Sequence, residues 1–266
     1  MTSEHPILET RDLTIRFGGH VAVDRVSCAF NRGTLTAIVG PNGAGKTTYF
    51  NLISGQLRAT AGKVILNGED ITRASVPSRT EKGIGRAFQL TNLFPSLTVR
   101  ENVRLVSQAK AHKGFDFFSI AGNHVELIER TEHILAEVKL IEKADLTVAA
   151  LAHGDQRKLE VALMIALAPQ VLMFDEPTAG MSVDEVPVIL DLIRTLKADA
   201  DRTILLVEHK MDVIRSLADR IIVLHNGALA ADGLPADVIA SPVVQQAYLG
   251  RDPEEPGPAI REAADA

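Results

Sequence analysis

The run Gly40-Pro41-Asn42-Gly43-Ala44-Gly45-Lys46-Thr47-Thr48 fits the pattern G-x-x-x-x-G-K-[ST]. Each residue type in it has a physical job. The glycines let the backbone wrap closely, so that successive N–H groups point at phosphate oxygens. Lys46 is expected to reach the β- and γ-phosphates, and the Thr47 hydroxyl to ligate Mg²⁺. The chemistry implied is the binding of a nucleoside triphosphate. The pattern works only between a strand and a helix. Residues 34–39 are a short apolar, β-branched run, and residues 47–54 read as a helix stopped by Gly55.

Two further places carry residues of the right type. Asp175 and Glu176 follow the apolar run Val171-Leu172-Met173-Phe174. Downstream of a phosphate loop, an Asp at such a strand end is positioned to hold Mg²⁺. Glu176, directly after it, is placed to orient or deprotonate an attacking water. His209 follows the apolar run 203–207. At the C-terminal end of a parallel strand it is placed to hydrogen-bond a γ-phosphate.

The elements that position these residues follow from periodicity. Residues 7–17, 21–30, 34–39 and 63–66 read as strands, with a tight turn at Asn67-Gly68. From 99 to about 140 the pattern is helical, with Val125, Ile128, Ile134, Leu135 and Val138 near the helical period. Between these helices lies an aromatic patch, Phe115, Phe117 and Phe118, in a chain with only 4% aromatics. Its two readings are docking on a membrane partner and packing within the helical part. After residue 150 helices are expected at 159–167, 186–198 and 211–218, and strands at 171–174, 203–207 and 220–224, with a hairpin at Asn226-Gly227. Alternating strands and helices imply an α/β fold with a parallel sheet covered on both faces. Residues 251–266, rich in Pro, Glu and Ala, read as a mobile tail.

A chain of 266 residues has room for one large domain or a domain with a subdomain. Its net charge of −6 argues against a nucleic-acid partner. The single cysteine, Cys28, precludes an intramolecular disulfide, suits a reducing compartment and reads as a small buried hydrophobe. No apolar stretch is long enough to span a bilayer, and residues 1–6 lack the pattern of a signal peptide. A cytoplasmic protein that reaches a membrane only through partners is expected.

Leu151-Ala152-His153-Gly154-Asp155-Gln156 opens the helix leading to Asp175. With it the chain resembles an ABC-transporter ATPase subunit over about residues 7–250. That family carries a signature of the form L-S-G-G-Q upstream of its Mg²⁺-binding Asp. The resemblance makes Ala152, His153 and Gly154 the signature positions. It makes Gln89 the family's Q-loop glutamine, a Mg²⁺ ligand that also serves catalysis, and Phe17 the aromatic that stacks on adenine. Core packing is the competing reading of Phe17. The implied fold is a P-loop NTPase, RecA-like core with an N-terminal antiparallel β subdomain and an inserted α-helical subdomain at about 91–158. Phe17-Gly18-Gly19, Glu208-His209-Lys210-Met211, the helical insert and the ending Ala247-Tyr248-Leu249-Gly250 are similar to ATPases of branched-chain amino acid importers. Lipopolysaccharide export ATPases share that ending, and non-transport ABC ATPases form a third alternative.

The resemblance implies ATP and Mg²⁺ as ligands. It implies a second ATPase subunit, identical or a sister, two transmembrane permeases and, indirectly, a solute-binding protein. The expected place is the cytoplasmic face of the plasma membrane. Four positions depart from the family pattern. Ala152 stands for the signature serine, His153 for the next glycine and Asp155 for the glutamine, and Ser182 stands where an aspartate is usual. Asp155 is expected to add negative charge at a phosphate-facing helix end. Two readings of the altered signature stand side by side: a weakened signature that leaves two unequal ATP sites in a heterodimer, and a subfamily variant in which His153 and backbone donors suffice.

Overall fold

The computed structural model describes residues 5–87, 93–110, 123–241 and 244. Gln89, the Phe115/Phe117/Phe118 patch, the Tyr-Leu-Gly ending and the 251–266 tail lie outside the described residues.

Two sheets share the work. The smaller is antiparallel, in the order β2 (His20–Phe30), β1 (Leu8–Phe17), β4 (Ala61–Leu66), β5 (Glu69–Asp70). The larger has the order β10 (Ala228–Gly233), β9 (Arg220–His225), β3 (Leu35–Val39), β8 (Thr203–Val207), β7 (Val171–Asp175), β6 (Ile84–Ala87). Its five strands from β9 to β6 run parallel, and β10 pairs antiparallel at the edge. Strands β3, β7 and β8 are buried at every residue, as continuous apolar runs in a sheet covered on both faces must be.

Helix α1 (Lys46–Ser54) lies between the two sheets. Its Tyr49, Phe50, Leu52 and Ile53 share a core with Val171, Met173, Leu205 and Val207 of the larger sheet and with Leu8, Leu13 and Phe30 of the smaller. The alternate residues Leu172, Phe174, Ile204 and Leu206 face the opposite core. That core holds α3 (Val99–Lys110), α4 (Asn123–Glu137), α5 (His153–Leu167) and α6 (Val186–Lys197). The period of two along each strand thus divides the interior into two layers. Helices α2 (Val76–Glu81), α7 (Met211–Leu217) and α8 (Pro235–Ile239), with 3-10 turns at Ile141–Lys143 and Val148–Ala150, complete the described elements.

Several elements differ from the sequence expectation. The helix expected at 159–167 starts earlier, at His153, within the run from Leu151 that was expected to open it, with Ala152 in the extended conformation of an N-cap residue. Strand β7 extends to Asp175, which therefore belongs to the ladder, opposite Val207. In α4 only the C-terminal half of the apolar stripe is buried, and Val125 and Ile128 are exposed. Strand β6 has no apolar run to announce it. Its Ile-Gly-Arg-Ala sequence is held by pairing with β7. Cys28 is buried as expected, and burial pushes its thiol up to about 11.

Candidate nucleotide-binding site

Register places the chemistry. Ile38 of β3 and Asp175 of β7 both pair with Val207 of β8, so the C-terminal ends of three neighbouring strands open at one level. The phosphate loop leaves β3 there, Asp175 and Glu176 close β7, and His209 follows β8. Ligands of open α/β sheets bind at this edge.

The loop's glycines are required by close approach. A Cβ on Gly40 would stand 2.2 Å from the Leu224 carbonyl oxygen, and one on Gly45, at φ +95°, 2.4 Å from that of Ala22. Gly45 is also the left-handed residue from which α1 starts, and the first turn of a helix leaves N–H groups free for an anion. Lys46 is buried, and its Nζ donates to the carbonyl oxygens of Gly40 and Pro41 at 2.7 and 2.9 Å. Burial lowers the Lys46 pKa, against the pull of the Glu176 and Asp175 charges. The opposite end of α1 is closed by Arg79. Its guanidinium donates to the Leu52 and Ile53 carbonyls at 2.7 and 2.6 Å, a cation at the negative pole of the helix.

Residues 42–48 line a cleft of about 460 Å³ together with Phe17, His20, Ala22, Glu176 and His209. Phe17 is 50% exposed at the end of β1, so the core-packing reading of this residue is not what the fold shows. Glu176 takes φ +50°, a left-handed conformation unusual for a residue with a side chain. That turn sends its carboxylate to the cleft, where Oε1 lies 2.8 Å from Nε2 of His209. Backbone strain of this kind costs about 1–3 kcal/mol and persists where surrounding contacts enforce it. Here the Glu176 N–H donates to the Val207 carbonyl at 2.9 Å.

Asp175 is buried and receives a hydrogen bond from Arg86 Nη2 at 2.8 Å. Burial raises its carboxyl, and the Arg86 charge only partly opposes this. Sequence reasoning missed Arg86 altogether, since a lone Arg in a short strand carries no local signal.

The signature positions sit elsewhere. Ala152, His153 and Gly154 do not line the cleft. Ala152 caps α5 without a side-chain hydrogen bond. His153 stands against Gly180, whose added Cβ would lie 3.7 Å from the His153 Cε1. A Cβ on Gly154 would lie 1.9 Å from Glu185 Oε1, so only glycine leaves that carboxylate where it is. Glu185 Oε2 accepts from the Ser182 N–H and hydroxyl at 3.1 and 3.0 Å, which fixes that carboxylate just ahead of α6.

The expectation for Asp155 is corrected. It is not a bare charge at the helix end. Its carboxylate is buried, bonded to Lys158 at 2.7 Å and to Lys143. Burial would raise this carboxyl, but hydrogen bonds from Lys143 and Lys158 outweigh it and hold the pKa below the usual range.

A glycine-rich loop between a buried parallel strand and a helix, facing a strand-end Asp-Glu pair and a histidine, defines a P-loop nucleotide-binding protein. The ABC transporter family model matches residues 23–179. The chain is 39% identical over 254 residues to the high-affinity branched-chain amino acid transport ATP-binding protein BraF of Pseudomonas aeruginosa, covering 92% of this chain and 98% of that one. It is 35% identical over 251 residues to the corresponding LivG protein of Escherichia coli K12, again covering 92% and 98%. Among solved structures, the ADP conformation of MJ1267, an ATP-binding cassette of an ABC transporter, superposes with a TM-score of 0.78 at 30% identity, over 92% of this chain and 99% of that one. The chain belongs to the ABC transporter family, as an ATP-binding, ATP-hydrolysing subunit.

Proposed function

We propose that this subunit powers import of branched-chain amino acids through permease partners. The observation that carries the catalytic part is the Glu176–His209 contact of 2.8 Å, at a cleft whose other wall is Lys46 and the start of α1. The choice of solute rests on the relatives' likeness, which favours import over lipid export or a non-transport role.

In this reading Gly40, Pro41, Asn42, Gly43, Ala44 and Gly45 wrap the β- and γ-phosphates, and Thr48 extends the amide cradle. Lys46 exchanges its two loop carbonyls for phosphate oxygens, and Phe17 stacks on the adenine. Thr47 and Asp175 supply a sparse oxygen set that suits Mg²⁺, which prefers phosphate and water for its remaining positions. Gln89 joins them from the segment after β6. Bound Mg²⁺ would neutralise charge developing on the phosphates. Glu176 accepts a proton from the attacking water as its oxygen bonds to the γ-phosphorus and the bond to the β-γ bridging oxygen breaks. His209 holds the Glu176 carboxylate and donates toward the γ-phosphate.

Residues 152–154 do not line this chain's own cleft, which leaves the N–H groups of the α5 terminus to serve the nucleotide of a second ATPase subunit. Residues 7–250 form the ATPase unit, with a helical part at about 91–158 beside the permease groove and 251–266 as a tail. Among the described residues no helix is long and apolar enough to cross a membrane. In this reading permeases would hold the subunit at the cytoplasmic face. A solute-binding protein would act through them.

The test is reconstitution with two permeases and a binding protein in proteoliposomes, followed by uptake of labelled leucine. ATP-driven uptake that is lost in Lys46→Ala and Glu176→Gln is expected. Turnover that survives both substitutions would overturn the site, and ATP-driven uptake of a different solute class would overturn the solute.

A further inference from the structure

The mechanism leaves one buried carboxylate without a task. Glu208 stands at the end of β8, beside the cleft, yet is only 3% exposed. Its Oε2 accepts from the His209 N–H at 2.7 Å and from the Lys210 N–H at 3.3 Å. Its Oε1 accepts from the Thr178 hydroxyl. Thr178 is itself 1% exposed and lies two residues past Glu176. One carboxylate therefore joins the backbone that presents His209 to the loop that presents Glu176.

The two presented side chains are only partly packed. Glu176 is 41% exposed and His209 37%. Their 2.8 Å approach depends on where the two backbones stand. Glu176 is also in a left-handed conformation, which requires restraint from outside the residue. The geometry points to Glu208 as a positioning residue for hydrolysis, which clamps the His209 loop to the Glu176 loop through Thr178.

The clamp needs a carboxylate. All three partners donate, two as backbone N–H and one as hydroxyl. An ionised carboxylate is acceptor-only, whereas a glutamine amide would turn an NH₂ toward at least one donor. The Thr178 hydroxyl is equally specific, because a valine there would fill the space and leave Oε1 buried without its donor.

This inference rests on the reading of Glu176 and His209 as the hydrolytic pair, and one experiment separates the two. The full chain is assayed for kcat and KM for ATP as wild type, Glu208→Gln, Thr178→Val, Thr178→Ser, His209→Ala and His209→Ala/Glu208→Gln. Misplacing a catalytic group by 1 Å costs about 100-fold, so Glu208→Gln and Thr178→Val should lower kcat by about 10- to 100-fold. KM should stay within about twofold, since the phosphate loop is untouched, and Thr178→Ser should keep most of the rate. With His209 already removed, Glu208→Gln should cost less than about threefold more, because there is no ring left to position. Undiminished turnover in His209→Ala overturns the reading of the pair. A damaging His209→Ala with a neutral Glu208→Gln, or with losses that multiply, overturns the clamp alone.

Discussion

The Arg86 guanidinium donates to Asp175 Oδ2 at 2.8 Å, and both side chains are more than nine-tenths buried. Nη1 of the same group donates to Asn51, Ser54 and Gln56 side chains at 2.6, 2.9 and 3.0 Å. The guanidinium carbon stands 5.3 Å from the centre of the Phe50 ring. One cation thus ties β6 to the Asp175 end of β7 and to the end of the helix that follows the phosphate loop.

Arg86→Met should remove the partner and leave Asp175 as an uncompensated buried charge, at a cost of about 3–5 kcal/mol in urea unfolding. Adding Asp175→Asn should recover a large part of that loss, because the pair is coupled. Strict additivity of the two substitutions would show that the ion pair does not contribute as a unit.

The catalytic edge was legible because its signals are local. The spacing from Gly40 to Thr48, and the buried runs before Gly40, Asp175 and His209, give both the residues and the strand ends that present them. What was not legible is pairing between residues far apart in the chain. Arg86 and Asp175 are 89 positions apart, and Thr178 and Glu208 are 30. No local pattern marks either pair, and each is created by the parallel register of β6, β7 and β8. Asp155 was misjudged in part for the same reason. Its charge was visible, but of the two lysines that neutralise it only Lys158 is local, three residues on, and Lys143 lies 12 residues upstream, in the 3-10 turn Ile141–Lys143.

Asp155 gives a pH dependence whose sign can be worked out. Its folded pKa lies below the unfolded value of 3.8, so the unfolded chain binds the proton more tightly. The stabilisation is therefore present above about pH 4 and is lost as pH falls through the folded pKa. Asp155→Asn should cost about 1.5–3 kcal/mol near neutral pH, the size of a hydrogen bond to a charged group. The gap between wild type and variant should close in acid. A gap that persists unchanged below pH 3 would assign the loss to packing instead.

Phe17 separates binding from folding. Half exposed at the end of β1, it contributes little to the core. Phe17→Ala should leave the melting temperature unchanged while weakening ATP binding. Base–aromatic stacking of about 1–3 kcal/mol corresponds to a rise in Kd of roughly 5- to 150-fold. Stacking uses the π-face of any base, so GTP affinity should fall in parallel. Fluorescence titration with a labelled nucleotide measures both.

Ala152 carries two separable consequences. It occupies the N-cap of α5 in an extended conformation, at ψ 156°, but offers no side-chain oxygen to the first turn. Ala152→Ser should stabilise the free subunit by about 1 kcal/mol through capping alone. The second consequence belongs to the assembled complex, where the proposed function has the α5 terminus serve the neighbour's nucleotide. If the missing hydroxyl weakens that site, Ala152→Ser should raise turnover there by about 10- to 150-fold, the rate equivalent of the roughly 1.5–3 kcal/mol that a hydrogen bond to a charged group is worth. The two readouts are independent. A gain in unfolding free energy with unchanged turnover would mean that His153 and the backbone N–H groups of α5 suffice, and that the two ATP sites are not made unequal by this residue.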